Sequence, residues 1–398
     1  MDLINNPYSP GAGVPPPELA GRENILRDAE NIIKRVRNGH SSQSLILLGL
    51  RGVGKTVLLN RIDQIAENLG CETSIFEADM DRTLPQLLTQ QLHRLLLKLD
   101  RRKRMGDEVQ KAFSLLQAFA GVFRVHYGEF QVGVSGSMVT GDLSLDLTDL
   151  MVSIGEAAKA RNTVAVILVD EVQYIAKNDL GALIMALHKI SQRQLPLVFF
   201  GAGLPQLAHL AGDAKSYSER LFTYPGVGPL DPEGARAALV EPARRENVEF
   251  EKDALDEILN QTEGYPFFLQ VWGSHVWRIA EKSPITVSDA VEASKRAEAA
   301  LDESFFKVRF ERLTERQQQY ARAMAEFGDA PANSTAVANL LGLTVKQAAP
   351  IRDEVIKKGM AFSPKRGLVA FTVPKFDEYM KRAAPTFKPA ETKENHNG

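Results

Sequence analysis

The stretch GLRGVGKT at residues 49–56, which follows the apolar run SLILL, constrains this chain more than any other feature of its sequence. Its spacing is Gly-x4-Gly-Lys-Thr, with a strand pattern before it and a helical pattern after it. Closely spaced glycines allow the backbone to curl until its N–H groups point inward, and the following helix directs its positive end at the same anion. The stretch therefore predicts a phosphate-binding loop and not merely a strand-to-helix turn.

Lys55 and Thr56 carry the most specific chemistry of this loop. A lysine at this position reaches the β- and γ-phosphates of a bound nucleotide, and the threonine hydroxyl is a ligand for Mg²⁺. We therefore expect ATP or ADP together with Mg²⁺ as cofactors, and a catalytic role for Lys55. The residues expected to contact the nucleotide are Gly49, Gly52, Val53, Gly54, Lys55, Thr56 and Val57.

Two adjacent acids, Asp170 and Glu171, end a second apolar run, VAVILVDEVQ, further along the chain. At the tip of a buried parallel strand they would lie beside the loop. Asp170 is suited to hold Mg²⁺, directly or through water, and Glu171 is suited to polarise the water that attacks the nucleotide. Without the loop, two acids here would mark only a strand end that meets solvent.

Apolar strand patterns alternate with helical patterns between residues 23 and 201, as is typical of a parallel sheet with helices on both faces. Helical patterns take over from about residue 231, and a helix-turn-helix pattern with a hairpin follows after about residue 310. The predicted fold class is α/β: a P-loop NTPase sheet, followed by a helical lid and a winged helix-turn-helix domain. The predicted divisions are an N-terminal arm (1–20), an ATPase core (21–228) with a hairpin insertion (near 121–147), the lid (229–305), the winged helix (310–384) and a disordered tail (385–398).

Charge and cysteine content exclude several classes of protein. The formal net charge is -2 with 25% charged residues, so no global charge excess points to nucleic acid or to a membrane surface. Cys71 is the only cysteine, which excludes an internal disulfide framework, and the seven histidines lack the spacing of metal ligands. There is no secretion signal and no apolar run long enough to span a membrane. We therefore expect a cytoplasmic protein without a membrane partner.

The loop and the Asp170–Glu171 pair resemble those of the AAA+ and STAND branch of P-loop ATPases, in which an additional strand lies between the two motif strands. The segment ELAGREN resembles the Gly-Arg-Glu motif that lies near the adenine in replication-initiator and STAND ATPases, which implies that Arg22 helps to seat the base. The segment EGYPFF resembles the Gly-x-Pro motif of STAND proteins, which implies that Pro266 approaches the nucleotide from the lid. Both segments also fit an ordinary helix start, and proline is favoured in the first turn of a helix.

Two features depart from the pattern of that family. The strand PLVFFGAGLPQ ends in Gly201, Ala202 and Gly203, where many relatives carry a polar residue that senses the γ-phosphate. This sensor is absent or supplied elsewhere, as by Gln173, and no arginine follows EGYP at the place of the second AAA+ sensor. Slow hydrolysis is therefore expected. Arg220 lies where AAA+ subunits often carry an arginine finger, although a surface arginine in a salt bridge fits equally well.

Basic charge is concentrated at the C-terminus, since residues 311–398 contain fourteen Lys or Arg and ten Asp or Glu. The segment STAVANLLGLTVKQAAPIRDEVIKKG predicts a helix-turn-helix with Pro350 inside its second helix, and PKRG predicts the tip of a wing. Double-stranded DNA is the expected partner, although winged helices also dock proteins. The residues expected to contact DNA are Lys346, Gln347 and Arg352 on the second helix, and Lys365 and Arg366 at the wing tip.

These patterns together predict a slow ATPase that acts as a molecular switch and couples its nucleotide state to DNA binding by the winged helix. The alternative is a STAND-like signalling or defence ATPase whose winged helix and insertion bind proteins. A protein partner or a homo-oligomer is compatible with both. Salt dependence separates the two hypotheses, because contacts to DNA phosphates release counterions and weaken steeply as salt is added.

Overall fold

A computed structural model describes residues 1–11, 13–100, 106–125 and 139–387. The chain forms two compact units. The first, called the sheet unit below, comprises Arg22–Gly49 and Gly54–Val227. The second, called the C-terminal unit, comprises Met1–Gly21, Leu50–Val53 and Gly228–Gly398. The middle of the expected phosphate-binding loop thus groups with the C-terminal unit.

Five parallel strands form the sheet of the sheet unit: β1 (Ser44–Leu48), β2 (Glu72–Glu77), β3 (Ala165–Asp170), β4 (Leu197–Gly203) and β5 (Phe222–Thr223). Their order across the sheet is β2-β3-β4-β1-β5. Parallel strands that are covered on both faces need apolar side chains on both sides, and β3 and β4 are buried along their whole length. Because β4 lies between β1 and β3, the additional strand between the two motif strands is present as expected.

Helices cover both faces of this sheet. Alternate side chains of β3 point to opposite faces: Ile167 and Val169 join a leucine-rich core, while α2 packs against the strands outside that core. The predicted α/β fold class is confirmed. The helices of the sheet unit within the described residues are α1 (Glu23–Arg37), α2 (Lys55–Asn68), α3 (Leu84–Asp100), α4 (Asp107–Val122), α5 (Leu143–Ala160), α6 (Lys177–Gln192), α7 (Leu207–Ala214) and α8 (Ser218–Leu221).

Two expected segments lie partly outside the described residues: positions 126–138 of the hairpin insertion near 121–147, and positions 388–398 of the tail 385–398. At the edges of the insertion the structure differs from the expected hairpin, because α4 continues to Val122 and α5 begins at Leu143. Asp142 caps α5 by accepting hydrogen bonds from the N–H groups of the first helical turn, at 2.8 and 3.1 Å. This cap favours a helix over the strand that the alternating residues suggested.

The C-terminal unit contains helices followed by a small antiparallel sheet in the order β6-β8-β7. Helices α9 to α12 lie in the region predicted as the lid and are called the lid helices below, although their role as a lid stays a prediction. The elements from α14 onward follow the order of a winged helix. The helices of this unit within the described residues are α9 (Pro232–Arg245), α10 (Lys252–Thr262), α11 (Pro266–Ile279), α12 (Val287–Ala300), α13 (Lys307–Glu311), α14 (Glu315–Ala325), α15 (Ser334–Leu340), α16 (Val345–Lys357) and α17 (Phe376–Ala383). The strands are β6 (Ala332–Asn333), β7 (Ala361–Phe362) and β8 (Leu368–Phe371).

The N-terminal arm packs on the lid helices. The Tyr8 hydroxyl donates a hydrogen bond of 2.5 Å to the carbonyl oxygen of Leu239, and the Trp277 indole donates one of 2.8 Å to that of Asp2. The Tyr8 ring lies against Gly273, where a Cβ would come within 2.5 Å of it. Tyr8 is thereby buried in the core of the lid, so the arm contributes to the stability of this unit.

Candidate nucleotide-binding site

The expected phosphate-binding loop connects the carboxyl end of β1 to the first residue of α2. Gly52 and Gly54 have φ angles of 85° and 92°, a left-handed conformation that residues with a Cβ rarely adopt. Helix α2 begins at Lys55, directly after Gly54. The N–H groups of its first turn have no acceptor within the helix and therefore point toward the loop. These two glycines provide the curled backbone that the sequence predicts.

The Lys55 side chain reaches back across the loop to its first residue. Its Nζ donates a hydrogen bond of 3.0 Å to the carbonyl oxygen of Gly49, and Lys55 is only 6% exposed. The Gly49 N–H in turn donates a bond of 3.1 Å to the carbonyl oxygen of Gly203, at the end of β4. Because burying an ammonium group is costly unless it is paired, the Gly49 carbonyl helps to keep this cation in the loop, where an anion would gain most from it.

Thr56 and Asp170 join the loop to β3. The Thr56 hydroxyl donates a hydrogen bond of 2.5 Å to Asp170 Oδ2, and the Glu171 N–H donates one of 2.8 Å to Asp170 Oδ1. Burial raises the pKa of the Asp170 carboxyl above its ordinary value, although these two hydrogen bonds oppose the shift. Hydroxyl and carboxylate oxygens side by side are ligands that suit Mg²⁺, and a nearby dication would favour the ionised carboxylate. The donor set therefore fits the expected ion.

Glu171 follows β3 in a tight turn and is held by a neighbouring amide. It has a φ of 52°, in the left-handed region, and a short 3-10 turn follows at Val172–Tyr174. The side-chain amide of Gln173 donates to Glu171 Oε2 and accepts a hydrogen bond of 3.0 Å from the N–H of Leu204. Gln173 thus reaches the end of β4, the strand whose last residues lack the expected polar sensor.

The remaining expected site residues have diverse surroundings. Arg22 is 8% exposed and precedes the first turn of α1, and Pro266 is the first residue of α11. Both positions therefore also fit an ordinary helix start. Val53 is buried and Val57 half-buried. Arg220 is exposed on α8, and its guanidinium forms no salt bridge in the part of the chain that the structure describes. The roles of Arg22 and Pro266 in nucleotide binding, and of Arg220 as a finger, remain predictions.

The middle of the loop is bonded within the C-terminal unit, which sequence reasoning did not foresee. The Arg51 N–H donates a hydrogen bond of 3.0 Å to the carbonyl oxygen of Thr372, and the Arg51 carbonyl accepts one from the Tyr265 hydroxyl. The Phe267 N–H donates to the carbonyl oxygen of Gly52 at 3.2 Å. A Cβ on Gly52 would lie 3.1 Å from the Tyr265 ring, so this close approach also favours glycine.

Two of the residues expected to read DNA bases have partners within the predicted winged helix. Gln347 Oε1 accepts hydrogen bonds of 2.9 Å from both the N–H and the hydroxyl of Thr344, in a capping box that starts α16. Arg352 pairs with Asp353 at 2.8 Å. These contacts leave base reading by either side chain less favoured than the sequence suggested. The expected DNA-contacting residues that are exposed are Lys346, Gln347, Lys365 and Arg366.

Other classes of site are not found among the described residues. No group of three or more His, Cys, Asp or Glu side chains there is arranged to hold a metal ion by itself. Likewise, none of the helices in that part of the chain is long and apolar enough to cross a membrane. The phosphate-binding loop and its acidic partners are therefore the arrangement that best supports a chemical function.

Comparison with protein families agrees with this geometry. Residues 18–200 match the model of an AAA ATPase domain. Residues 303–380 match a domain of unknown function, DUF8462. No curated protein matches the chain in sequence at a significant level. The matched segment contains the loop at 49–56 together with Asp170 and Glu171, so the region that holds the candidate site is similar to an AAA ATPase domain.

Three solved structures illustrate the similarity in fold. The Walker-type ATPase PABY2304 of Pyrococcus abyssi has a TM-score of 0.54 at 15% identity, over 90% of this chain and 95% of that one. The ORC1 protein of Aeropyrum pernix, solved in complex with DNA, has a TM-score of 0.46 at 15% identity, over 92% and 93%. The RuvB branch migration motor of Thermotoga maritima has a TM-score of 0.42 at 14% identity, over 91% and 95%. At 15% identity, the similarity to PABY2304 supports a shared fold and nothing more.

Removal of the Lys55 ammonium tests the loop. Lys55→Met keeps the apolar stem of this buried side chain but removes the charge, so we expect ATP affinity, measured by titration calorimetry, to fall by about 10- to 100-fold. Lys159→Ala, at the exposed end of α5, is the control and should bind like the wild type. Equal ATP affinity in Lys55→Met and wild type, with both folded, would show that the loop does not bind phosphates.

Proposed function

We propose that this protein binds Mg-ATP, hydrolyses it slowly, and uses its nucleotide state to control DNA binding by the C-terminal winged helix. The arrangement of Lys55, Thr56 and Asp170 is the observation that supports the binding and hydrolysis of Mg-ATP. A buried ammonium spans the loop, and a hydroxyl bonded to a carboxylate lies at its end. Polyphosphate and its accompanying dication need these two kinds of group next to each other.

The residues of the candidate site have different roles in the proposed hydrolysis. Thr56 and Asp170 would hold Mg²⁺, which, when bound, neutralises charge on the β- and γ-phosphates. Lys55 and the loop N–H groups bind and orient the same phosphates. Glu171 lies one residue beyond Asp170, half-buried, where its carboxylate can accept a proton from the attacking water. The lack of a polar side chain on Gly201, Ala202 and Gly203 supports slow turnover.

Glu171→Gln separates hydrolysis from binding. Because the amide keeps the size of the side chain but cannot take a proton, ATP should remain bound with nearly unchanged affinity while turnover falls by about a hundredfold or more. Phosphate release under saturating ATP is the measurement, and Glu219→Gln, at an exposed position of α8, is the matched control. A normal rate of phosphate release in Glu171→Gln would contradict the role of Glu171 as a base.

Coupling to the winged helix is supported by the bonds of Arg51. Its N–H donates to the Thr372 carbonyl, and the Thr372 hydroxyl donates a hydrogen bond of 2.7 Å to the carbonyl of Gly359. Gly359 lies just beyond the end of α16, and Thr372 is 1% exposed. A change in the loop backbone on phosphate binding would therefore act through a short buried path on the end of the helix expected to face DNA. A ligand shifts such an equilibrium only when it favours one loop conformation over another.

Exposed basic side chains support the proposed binding of DNA by the winged helix. Lys346 lies in the first turn of α16, and Lys365 and Arg366 lie at the tip of the β7–β8 hairpin. Exposed lysine and arginine suit phosphates, which position a protein on DNA without specifying sequence. Since Gln347 and Arg352 have partners within the module, we expect DNA binding with little sequence preference.

Protein docking is a second candidate function of the winged helix. It is favoured by the same engagement of Gln347 and Arg352, because a helix that reads DNA bases needs side chains that can leave their own module. In that case the ATPase would act as a signalling switch. Its partner would bind with a weak dependence on salt, unlike DNA.

Salt dependence of binding to double-stranded DNA distinguishes these functions. If Lys365 and Arg366 contact phosphates, replacing both with alanine should make the slope of log K against log salt shallower by about 0.9 for each lost contact. The control replaces two exposed lysines of the lid region, Lys252 and Lys282, and should leave the slope unchanged. If the wild-type protein shows no salt-sensitive DNA affinity with ATP, with ADP or without nucleotide, the proposed DNA binding is wrong. Protein docking is then the favoured function of the winged helix.

A further inference from the structure

We propose that Gln173 is a positioning residue for ATP hydrolysis, which holds the Glu171 carboxylate in the orientation that accepts a proton from the attacking water. The inference rests on the proposed function, since it concerns the hydrolytic step. It assigns a role to a side chain that lies on neither the phosphate-binding loop nor the Asp170–Glu171 pair.

The Gln173 amide is anchored at both of its ends. Its oxygen accepts a hydrogen bond of 3.0 Å from the backbone N–H of Leu204, so its nitrogen must be the end that faces Glu171 Oε2. Leu204 is 2% exposed and follows directly after β4. The amide thus connects the carboxylate to a buried and rigid strand end.

Gly203 makes room for this amide. A Cβ at Gly203 would lie 2.5 Å from Gln173 Oε1 and 2.7 Å from a methyl group of Leu207, closer than real atoms approach. The carbonyl of the same glycine accepts the N–H of Gly49, the first residue of the phosphate-binding loop, at 3.1 Å. One residue of β4 therefore fixes the start of the loop and admits the side chain that holds Glu171.

The backbone between Glu171 and Gln173 is also fixed. The N–H groups of Tyr174 and Ile175 donate to the carbonyls of Glu171 and Val172 at 2.9 and 3.0 Å, and Val172 is fully buried. The turn therefore presents both side chains from a rigid base. The Gln173 amide in turn restrains the Glu171 side chain.

Restraint of this carboxylate matters for the reaction. In hydrolysis the water oxygen forms a bond to the γ-phosphorus, the bond from that phosphorus to the bridging oxygen of ADP breaks, and a water proton passes to Glu171. The hydrogen bond from Gln173 to one carboxylate oxygen fixes the orientation in which the Glu171 carboxylate meets the water. An amide does not take up the proton itself, so Gln173 acts only by orienting Glu171.

Two substitutions at Gln173 separate positioning from a merely structural role. Gln173→Glu keeps the shape and the oxygen that accepts the Leu204 N–H, but it replaces the donor facing Glu171 with a second acid. Gln173→Leu removes both hydrogen bonds. The matched control is Gln192→Glu, the same chemical change at the exposed end of α6. Steady-state phosphate release gives kcat and KM, and calorimetry gives ATP affinity.

We expect Gln173→Glu to lower kcat by about tenfold or more, with KM and ATP affinity within about threefold of wild type. Gln173→Leu should also lower kcat with little change in KM, and Gln192→Glu should match wild type.

Wild-type kcat in Gln173→Glu would overturn the inference, because a structural contact with Leu204 alone would survive that change. In that outcome the proposed function stands. Failure of the proposed function is recognised separately: a wild-type protein that binds ATP but releases phosphate no faster than Glu171→Gln has no hydrolytic step for Gln173 to assist, which overturns both.

Discussion

The hydrogen bond of 2.5 Å between Thr56 and Asp170 joins residues 114 positions apart and unites the two halves of the candidate site. It exists because β1 and β3 run parallel on either side of β4, so that their carboxyl ends meet at one edge of the sheet. Near-continuous apolar strands, covered by helices on both faces, give that edge its rigidity. The buried Asp170 carboxylate has a raised pKa, and a hydroxyl and a backbone N–H stabilise its charged form. A desolvated acid beside a buried lysine is the arrangement expected of a site for a charged ligand, which makes this edge of the sheet the candidate site.

The same loop has a second set of partners. Gly49, Lys55 and Thr56 bond within the sheet unit, whereas Arg51 and Gly52 bond to Tyr265, Phe267 and Thr372 of the C-terminal unit. The backbone of Arg51 and Gly52 therefore cannot change conformation without altering hydrogen bonds within the C-terminal unit. In the switch proposed above, phosphate binding would act on N–H groups of the loop next to this backbone. Any such coupling would be reciprocal, so a ligand that moves Thr372 would also change nucleotide affinity.

The sequence was most informative where chemistry is encoded locally. The spacing of Gly49, Gly54, Lys55 and Thr56 predicted the loop, and apolar runs predicted the strands that place Asp170 beside it. It was less informative where long-range packing decides. Nothing in the residues around Thr372 or Tyr265 marks them as partners of Arg51, because backbone carbonyls and a buried tyrosine have no motif. In the segment LSLDL, alternation suggested a strand, but Asp142 caps a helix there. The capping role of Gln347 has a sequence signal, since Thr344 and Gln347 have the spacing of a capping box.

Amide hydrogen exchange of the wild-type protein, with and without saturating Mg-ATP, is the most direct measurement of whether one loop both binds nucleotide and reaches the winged helix. If it does, nucleotide should slow exchange at residues 50–57 and also at residues 359–372, because the Arg51 and Thr372 N–H groups belong to one connected set of hydrogen bonds. Slower exchange confined to the loop would contradict the connection to the winged helix. Unchanged exchange in both segments, at ATP concentrations up to the millimolar range, would contradict the nucleotide site itself.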